Sequence, residues 1–269
     1  SLYRESAMYS SLYKFVLFPL YESILRGRNT LKYFREFEAN QWLSDEQIEE
    51  MQLRKLRALL KHCYDNVPYY RRIFDEMGIV PEDIKTSNNF LDIRFLTKKD
   101  IIDNQDELTA RNFEEKVYSS WTSGSTGYPI RFKYNRSSYE RRIAAAARSD
   151  RWTGWDFGEK EFYIWGVRPN SDSSLIRLKK DIHHCLLRRK IINSYTFSTP
   201  SLTKYVKEYN QFKPCAVIGY ATPLYNFAKF ISYNGLECYS PKAVIVTAEK
   251  SYPDQRAFIE GVFNSKVYN

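Results

Sequence analysis

Six consecutive residues hold the side chains best suited to bind a phosphate group. Four carry hydroxyls and two are glycines; in order they are Thr122, Ser123, Gly124, Ser125, Thr126 and Gly127. Glycine lets a backbone turn close to a ligand, and successive N–H groups in such a turn bind anions. A Walker-type loop is excluded, because no lysine follows Gly127 and a strand, not a helix, is predicted next. A surface loop without a ligand is the alternative.

Two predicted strands position this loop, Val117–Trp121 before it and residues 130–134 after it. Further along, short apolar strands alternate with helices at spacings of about ten residues, which is typical of a parallel sheet covered by helices. The later predicted strands are 162–165, 214–219, 243–246 and 266–268. The predicted helices are one opened by a capping box at Ser137 and Glu140, one begun by Ser201, and the segments 223–233 and 254–263.

The first hundred residues are predicted to be mostly helical. Ser44 and Gln47 form a capping box, and apolar residues at helical spacing follow it. Pro68 disfavours helix in the residue before it, so this helix ends near Asn66. A second helix ends at Gly78.

These patterns together predict the α/β class. We expect a helical N-terminal region followed by a mostly parallel sheet with flanking helices. The predicted domains are residues 1–115 and residues 116–269.

The chain is basic, with a formal net charge of +9 over 269 residues. This balance suits anionic partners such as nucleotides, coenzyme A, nucleic acid or acidic lipid. Much of the excess lies in residues 177–190, interpreted first as a solvated helix face and second as a binding patch. A nucleic-acid binder is the least favoured function, since no recognition helix, RNA-recognition motif or zinc module is evident.

The spacing of the cysteines and histidines does not match a metal-binding motif. Cys63, Cys185, Cys215 and Cys238 are far apart, which favours free thiols in a reducing compartment. His183, His184 and Cys185 are adjacent, but adjacent side chains diverge on a helix or strand, so no metal site is predicted.

An early apolar segment spans residues 12–25. Its apolar run is shorter than the roughly 20 residues that a bilayer-spanning helix needs. Packing against the rest of the protein is the first interpretation. Peripheral contact of this segment with a membrane surface is the second.

Several motifs together resemble one family. The string TSGSTGYP is similar to the (S/T)SG(S/T)TGxP phosphate-binding signature of the adenylate-forming enzymes. Other segments resemble the phenylacetate–CoA ligases and the CapK-like proteins, in the family's order; they are QLRKL at 52–56, HCYDNVPYY at 62–70, FLTKKD at 95–100, IGYATP at 218–223 and TAE at 247–249. The resemblance covers nearly the whole chain and implies the N-terminal domain of an adenylate-forming enzyme, incomplete here.

The resemblance implies an ATP-dependent reaction. Family members activate a carboxylic acid with ATP and Mg²⁺ and then transfer the acyl group to a thiol, usually that of CoA. It implies that residues 122–127 bind the ATP phosphates. Adenine would lie against Thr247, Ala248 and Glu249, and the acyl substrate against Tyr220 and Ala221. It identifies no catalytic residue and no metal ligand in this chain.

The chain also departs from the family pattern. Many relatives have lysine where this chain has Tyr128, which puts ATP affinity in question. Arg131 and Lys133 on the next strand are candidate substitutes, although strand alternation gives them a common side that need not face the ligand.

The family pattern continues beyond residue 269. Relatives continue with a YGxxE motif, a ribose-binding aspartate and a C-terminal domain with a catalytic lysine. We therefore expect an inactive fragment of a cytoplasmic enzyme, with a homodimer as one oligomeric state. The CapK-like branch would place it in cell-surface polysaccharide biosynthesis, peripheral to the membrane in one interpretation. The alternative is a non-catalytic nucleotide-binding or scaffold protein derived from the same family.

Overall fold

The computed structural model describes residues 9, 11–86, 90, 93–112, 117–122, 129–167 and 173–269. The chain divides into two compact units. One, the helix–hairpin unit, comprises residues 32–144; the other, the sheet unit, comprises residues 1–31 and 145–269. The domain boundary predicted after residue 115 stays a prediction.

Helices dominate the start of the helix–hairpin unit. They are α1 (Thr30–Asn40), α2 (Asp45–Asn66), α3 (Pro68–Met77) and α4 (Lys98–Asp103). The predicted capping box is confirmed, because Ser44 Oγ accepts from the Gln47 N–H and Gln47 Oε1 accepts from the Ser44 N–H. Gly78 ends α3 at a left-handed φ of 65°, where glycine carries little steric cost.

A hairpin follows these helices. Strands β1 (Val117–Trp121) and β2 (Arg131–Asn135) pair in antiparallel register, with Tyr118 opposite Tyr134. Both strands were predicted, the second with bounds one residue too early.

Helix α5 (Arg136–Arg151) begins directly after β2 and continues into the sheet unit. The capping box predicted at Ser137 and Glu140 is wrong. Asn135 Oδ1 accepts from the Ser138 N–H at 2.8 Å, so the strand's last residue caps the helix. Glu140 is instead buried and accepts from Arg136 Nε at 2.8 Å.

The sheet unit contains a five-stranded parallel sheet in the order β4-β3-β5-β6-β7. Its strands are β3 (Glu161–Trp165), β4 (Arg189–Asn193), β5 (Ala216–Tyr220), β6 (Ala243–Thr247) and β7 (Val267–Tyr268). The connecting helices are α6 (Ser174–Leu186), α7 (Thr199–Phe212), α8 (Ala221–Tyr233) and α9 (Pro253–Phe263). The predicted α/β class and parallel sheet are confirmed.

Two parts of this alternation differ from the prediction. The basic stretch 177–190 is not one helix face, because α6 ends at Leu186 and Arg189 begins strand β4. Helix α7 begins at Thr199, since Ser198 caps it and Ser201 occupies the third helical position. Serine occurs both at the cap and at the third helical position, so the sequence pattern alone did not show which of Ser198 and Ser201 begins the helix.

The main core lies on one face of this sheet. Phe162 and Ile164 of β3 pack with Tyr209 of α7 and with Leu224 and Phe227 of α8, and all five are fully buried. Alternate residues of a strand point to opposite faces, so Glu161, Tyr163 and Trp165 lie on the other face.

That other face contains a buried ion pair. Arg189 donates to Glu161 Oε2 through Nε at 2.8 Å and Nη2 at 2.7 Å. Burial raises the pKa of the Glu161 carboxyl, and Arg189 offsets part of that effect. The same environment raises the pKa of Asp150 on α5 to about 6, chiefly through burial and secondly through the nearby Glu161.

Replacing Asp150 by asparagine is expected to stabilise the protein at neutral pH. The folded pKa of Asp150 lies above its ordinary value of 3.8, so folding favours the protonated acid and stability falls as pH rises from about 4 to about 6. Above that window, Asp150→Asn should raise the free energy of unfolding by about 1–2 kcal/mol. Urea titrations at pH 4, 5, 6 and 8 would measure the gap between variant and parent. Asp181→Asn, at an exposed position, is the control. A stability difference for Asp150→Asn that does not shrink toward pH 4, or that equals the difference measured for Asp181→Asn, would contradict this account.

Apolar helical turns lie near the start of the described part of the chain. Two π-helical segments, Tyr13–Leu17 and Leu20–Leu25, precede α1. Within the described residues, no helix combines the length and apolarity needed to cross a membrane.

Candidate functional site

The carboxyl ends of the sheet strands meet at one edge. Trp165 ends β3 beside Asn193 of β4, and Tyr220 ends β5 beside Thr247 of β6. The chain leaves β3 toward β4 on one side, but leaves β5 toward β6 on the other. Ligands of open α/β sheets bind where neighbouring connections diverge in this way, which here is between β3 and β5.

Aromatic side chains occupy this switch point. The rings of Trp165 and Tyr220 lie with centroids 4.3 Å apart and planes 30° apart. The Tyr195 ring covers Gly166, where a methyl group would lie only 2.6 Å from Tyr195 Cζ. Burial, with Tyr195 and Glu249 nearby, raises the pKa of the Tyr220 hydroxyl, so it remains a proton donor at neutral pH.

The turn after β6 is tight. The Glu249 N–H donates to the Thr247 carbonyl at 2.8 Å, and Ala248 between them has a φ of 63°. A residue with a Cβ is uncommon in this left-handed region, because that backbone conformation costs it about 1–2 kcal/mol of free energy. The turn directs Glu249 back toward β5.

Glu249 reaches the first turn of α8. Its Oε2 accepts from the Thr222 N–H at 2.8 Å, across 27 residues of sequence. The N-cap residue of α8, Tyr220, makes no side-chain capping bond, so Glu249 supplies the acceptor from another strand. A carboxylate at this position is also stabilised by the helix dipole.

This geometry brings together the two groups of residues predicted for adenine and for the acyl substrate. Thr247, Ala248 and Glu249 lie beside Tyr220, while the Ala221 side chain is buried in the core. Sequence reasoning missed Trp165, Gly166 and Tyr195 as neighbours of this site. The one available signal was the position of Trp165 at the end of a predicted strand.

Thr122, the first of the residues predicted to bind phosphate, lies in the helix–hairpin unit. Thr122 closes the neck of the hairpin: its N–H donates to the Ile130 carbonyl, and its Oγ1 accepts from the Ile130 N–H, both at 3.0 Å. The remaining predicted phosphate-binding residues and Tyr128 lie outside the described residues; these are Ser123, Gly124, Ser125, Thr126 and Gly127.

The two candidate cations on β2 share one side of the hairpin. Lys133 Nζ donates to Thr109 Oγ1 at 3.2 Å, so this ammonium is directed toward the 104–110 region. Arg131 and Lys133 both line a cavity of about 490 Å³ inside the helix–hairpin unit, which His62 and Cys63 of α2 also line. Whether either cation serves the phosphate loop stays a prediction.

The described residues do not gather a metal-binding set. In the part of the chain that the structure describes, no three His, Cys, Asp or Glu side chains converge. His183 Nδ1 instead lies 2.6 Å from the Tyr21 hydroxyl, and the four cysteines are free thiols. No described residue is therefore assigned to the Mg²⁺ that accompanies ATP.

Known proteins resemble this chain in sequence. It is 26% identical to protein CapK of Staphylococcus aureus over 249 residues, which are 91% of this chain and 54% of CapK. It is 32% identical to the phenylacetate–coenzyme A ligase of Escherichia coli over 124 residues, 46% of this chain and 28% of that enzyme. No protein-family model matches.

The chain is thus similar to CapK and to the phenylacetate–CoA ligases. It spans about half the length of CapK. A crystal structure of 2-hydroxyisobutyryl-CoA ligase, in complex with 2-HIB-AMP and CoA, shares the fold of this chain with a TM-score of 0.63 and 19% identity. That match covers 84% of this chain and 53% of the ligase.

Replacing Glu249 by alanine is expected to destabilise this protein modestly. The change removes the acceptor at the α8 N-terminus, and loss of a helix cap costs about 0.5–2 kcal/mol. Glu249→Gln retains an acceptor and should lose less. Urea denaturation at pH 7 would measure both. The exposed Glu237→Ala is the matched control, and an equal loss there would show that the Glu249 contact is not the cause.

Proposed function

We propose that this chain carries part of the substrate site of an AMP-forming ligase that joins a carboxylic acid to a thiol such as that of CoA. The observation that carries the proposal is the convergence of the TAE turn and the IGYATP segment at the ends of β5 and β6, next to the sheet's switch point, through the Glu249–Thr222 hydrogen bond. Similarity to CapK and to the phenylacetate–CoA ligases supports the same chemistry.

The proposed reaction has two steps. The acid's carboxylate attacks the α-phosphorus of ATP, which forms an acyl-adenylate and releases pyrophosphate. The thiol, as thiolate, then attacks the acyl carbon and releases AMP. AMP is a far better leaving group than the carboxylate's own oxygen, so the protein's part is mainly to position the reactants and stabilise charge at the phosphates.

Each segment has a proposed role. Residues 122–127 hold the ATP phosphates, and residues 247–249 border adenine. Tyr220 lies beside the acyl group with its protonated hydroxyl as a donor, and the buried Ala221 contributes through its backbone. The Trp165 and Tyr220 rings offer planar apolar surface, which suits an aromatic base or acid.

Similarity to CapK supports a role for this protein in cell-surface polysaccharide biosynthesis. The match to CapK extends over 91% of this chain, whereas the match to the E. coli ligase covers 46%. The acyl acceptor in that setting is CoA or another thiol.

Nucleotide binding is the first test of the proposed function. Calorimetric titration with ATP and Mg²⁺ should detect binding, and the double variant Ser123→Ala, Thr126→Ala should weaken it at least about tenfold, since two phosphate hydrogen bonds are lost. Ser119→Ala, on β1 of the same hairpin, is the control and should leave the affinity unchanged.

Pyrophosphate exchange separates the two candidate functions. Exchange that depends on an added carboxylic acid would establish adenylation by this chain. ATP binding by the intact gene product, without exchange across aromatic, fatty and sugar-linked acids, would favour a non-catalytic nucleotide-binding protein. Failure to bind ATP, or equal affinity of the loop variant, would overturn the nucleotide proposal itself.

A further inference from the structure

Helix α6 exposes its apolar side chains. None of its residues is buried, and one stripe of leucine and isoleucine lies at helical spacing along it. The stripe consists of Leu175, Leu178, Ile182 and Leu186, with exposed fractions of 72%, 56%, 51% and 38%. An amphipathic helix normally buries this stripe, so its exposure calls for a partner.

The N-terminal π-helical turns expose a second apolar stripe. Their inner side is buried at Tyr13 and Phe18, which stack with ring centroids 5.9 Å apart. Their outer side carries exposed apolar residues: Leu12, Phe15, Val16, Leu20, Ile24 and Leu25. Phe15 is 71% exposed and Ile24 is 72% exposed. The segment thus packs on one side and leaves the other uncovered.

The two stripes lie on elements that touch. Besides the Tyr21–His183 hydrogen bond, the two elements line a shared hollow of about 330 Å³. Tyr21 and Arg26 line it from the N-terminal turns, and Ile176, Lys179 and Ile182 are among the α6 residues that line it. We call the two stripes and their flanking charges the apolar–basic face.

The charges of this face have one dominant sign. The exposed charged residues of the two elements, within the described part of the chain, are Arg26, Arg177, Lys179, Lys180 and the single acid Asp181. Glu22 does not offset them at the surface, since it is buried and accepts from Arg28 and Thr30. Exposed apolar side chains bordered by lysine and arginine fit an interface of hydrocarbon and anionic headgroups.

We propose that the apolar–basic face docks this protein on an anionic lipid surface. The apolar stripes would enter the headgroup–acyl boundary, and the cations would contact lipid phosphates. Charge favours this partner over a second copy of the chain, because a symmetric contact would bring the basic residues of two copies together. The proposal concerns a different surface from the nucleotide and acyl residues and does not depend on the proposed function.

Sedimentation with vesicles tests the proposal. The chain is mixed with vesicles of phosphatidylcholine alone, or of phosphatidylcholine with one-third phosphatidylglycerol. Binding should be at least about tenfold tighter to the anionic vesicles and should fall with added salt. Lys179→Glu with Lys180→Glu should weaken binding at least about tenfold, and Phe15→Ser with Ile24→Ser by a similar factor.

Matched variants control for general surface effects. Lys204→Glu with Lys207→Glu reverses the charge at two exposed positions on α7, and Tyr233→Ser removes an exposed aromatic side chain on α8. Both should leave vesicle binding unchanged. Thermal melts of every variant verify folding, and Leu175→Ser with Leu178→Ser supplies a second test of the apolar contribution.

Several outcomes would overturn the proposal. They are equal binding to neutral and anionic vesicles, no binding to either, or equal losses in the control variants. Sedimentation velocity without vesicles tests whether the chain self-associates through this face. If the chain forms a dimer that Phe15→Ser with Ile24→Ser dissociates, and binds no vesicles, the face is a self-association surface and the lipid proposal is wrong.

Discussion

Replacing Glu161 by alanine should lower the free energy of unfolding by about 3–5 kcal/mol, the largest loss that we expect from one substitution. Glu161 is 4% exposed and accepts two hydrogen bonds from Arg189 across the β3–β4 pair. The variant leaves the half-buried Arg189 guanidinium without this partner in a poorly solvated position. Urea denaturation at pH 8, followed by circular dichroism, would measure the change.

Two further variants separate the ion pair from a general packing loss. Asp103→Ala breaks the exposed Lys99–Asp103 pair and should cost less than about 1 kcal/mol. The double variant Glu161→Met, Arg189→Met removes both charges and should recover most of the stability. A double variant as unstable as Glu161→Ala would mean that the buried charge left behind is not the main cost.

Replacing Gly219 by alanine should lower the free energy of unfolding by about 3 kcal/mol, near the upper end for an overpacked core. An added Cβ would lie 2.8 Å from the Ile164 carbonyl oxygen and 3.1 Å from Ile164 Cβ on the neighbouring strand β3. Backbone atoms cannot move aside as a flexible side chain would, so strands β3 and β5 must separate. Because Gly219 precedes Tyr220, the variant should also disturb the contact between the Trp165 and Tyr220 rings.

Gly261→Ala provides the matched control for this change. Gly261 lies in helix α9, and an added Cβ there meets nothing within 4 Å. Alanine should therefore be neutral or stabilise by up to about 1 kcal/mol through its higher helix propensity. Urea denaturation followed by circular dichroism would measure the stability of both variants. Similar stabilities for Gly219→Ala and the parent would show that the sheet tolerates the added methyl group.

Local signals predicted much of the fold. The Ser44 capping box, Gly78 after α3 and strand Val117–Trp121 agree with the structure, because each depends on residues within a few positions of one another. The prediction failed where a side chain has a partner far away in sequence, or where another nearby residue forms the expected hydrogen bond instead. Glu140 forms no capping box because Arg136 pairs with it and Asn135 caps the helix instead.

Strand β4 illustrates the limit of charge patterning. The sequence RKIIN reads as the end of a basic surface stretch, so no strand was predicted there. Arg189 is nevertheless suited to a strand, because Glu161 accepts from it on the adjacent strand β3. That partner lies 28 residues earlier and cannot be inferred from composition.

The sequence by itself determined the α/β class, and it predicted the family resemblance and the residues of the candidate site through the TSGSTGYP loop and the IGYATP and TAE segments. Only the tertiary structure decided that Glu249 contacts Thr222, that the Trp165 ring contacts the Tyr220 ring, and that the α6 stripe is exposed. The reason is physical. A motif reports the local backbone and the chemistry of its side chains. Proximity across a sheet depends on strand order, which packing of the whole chain sets.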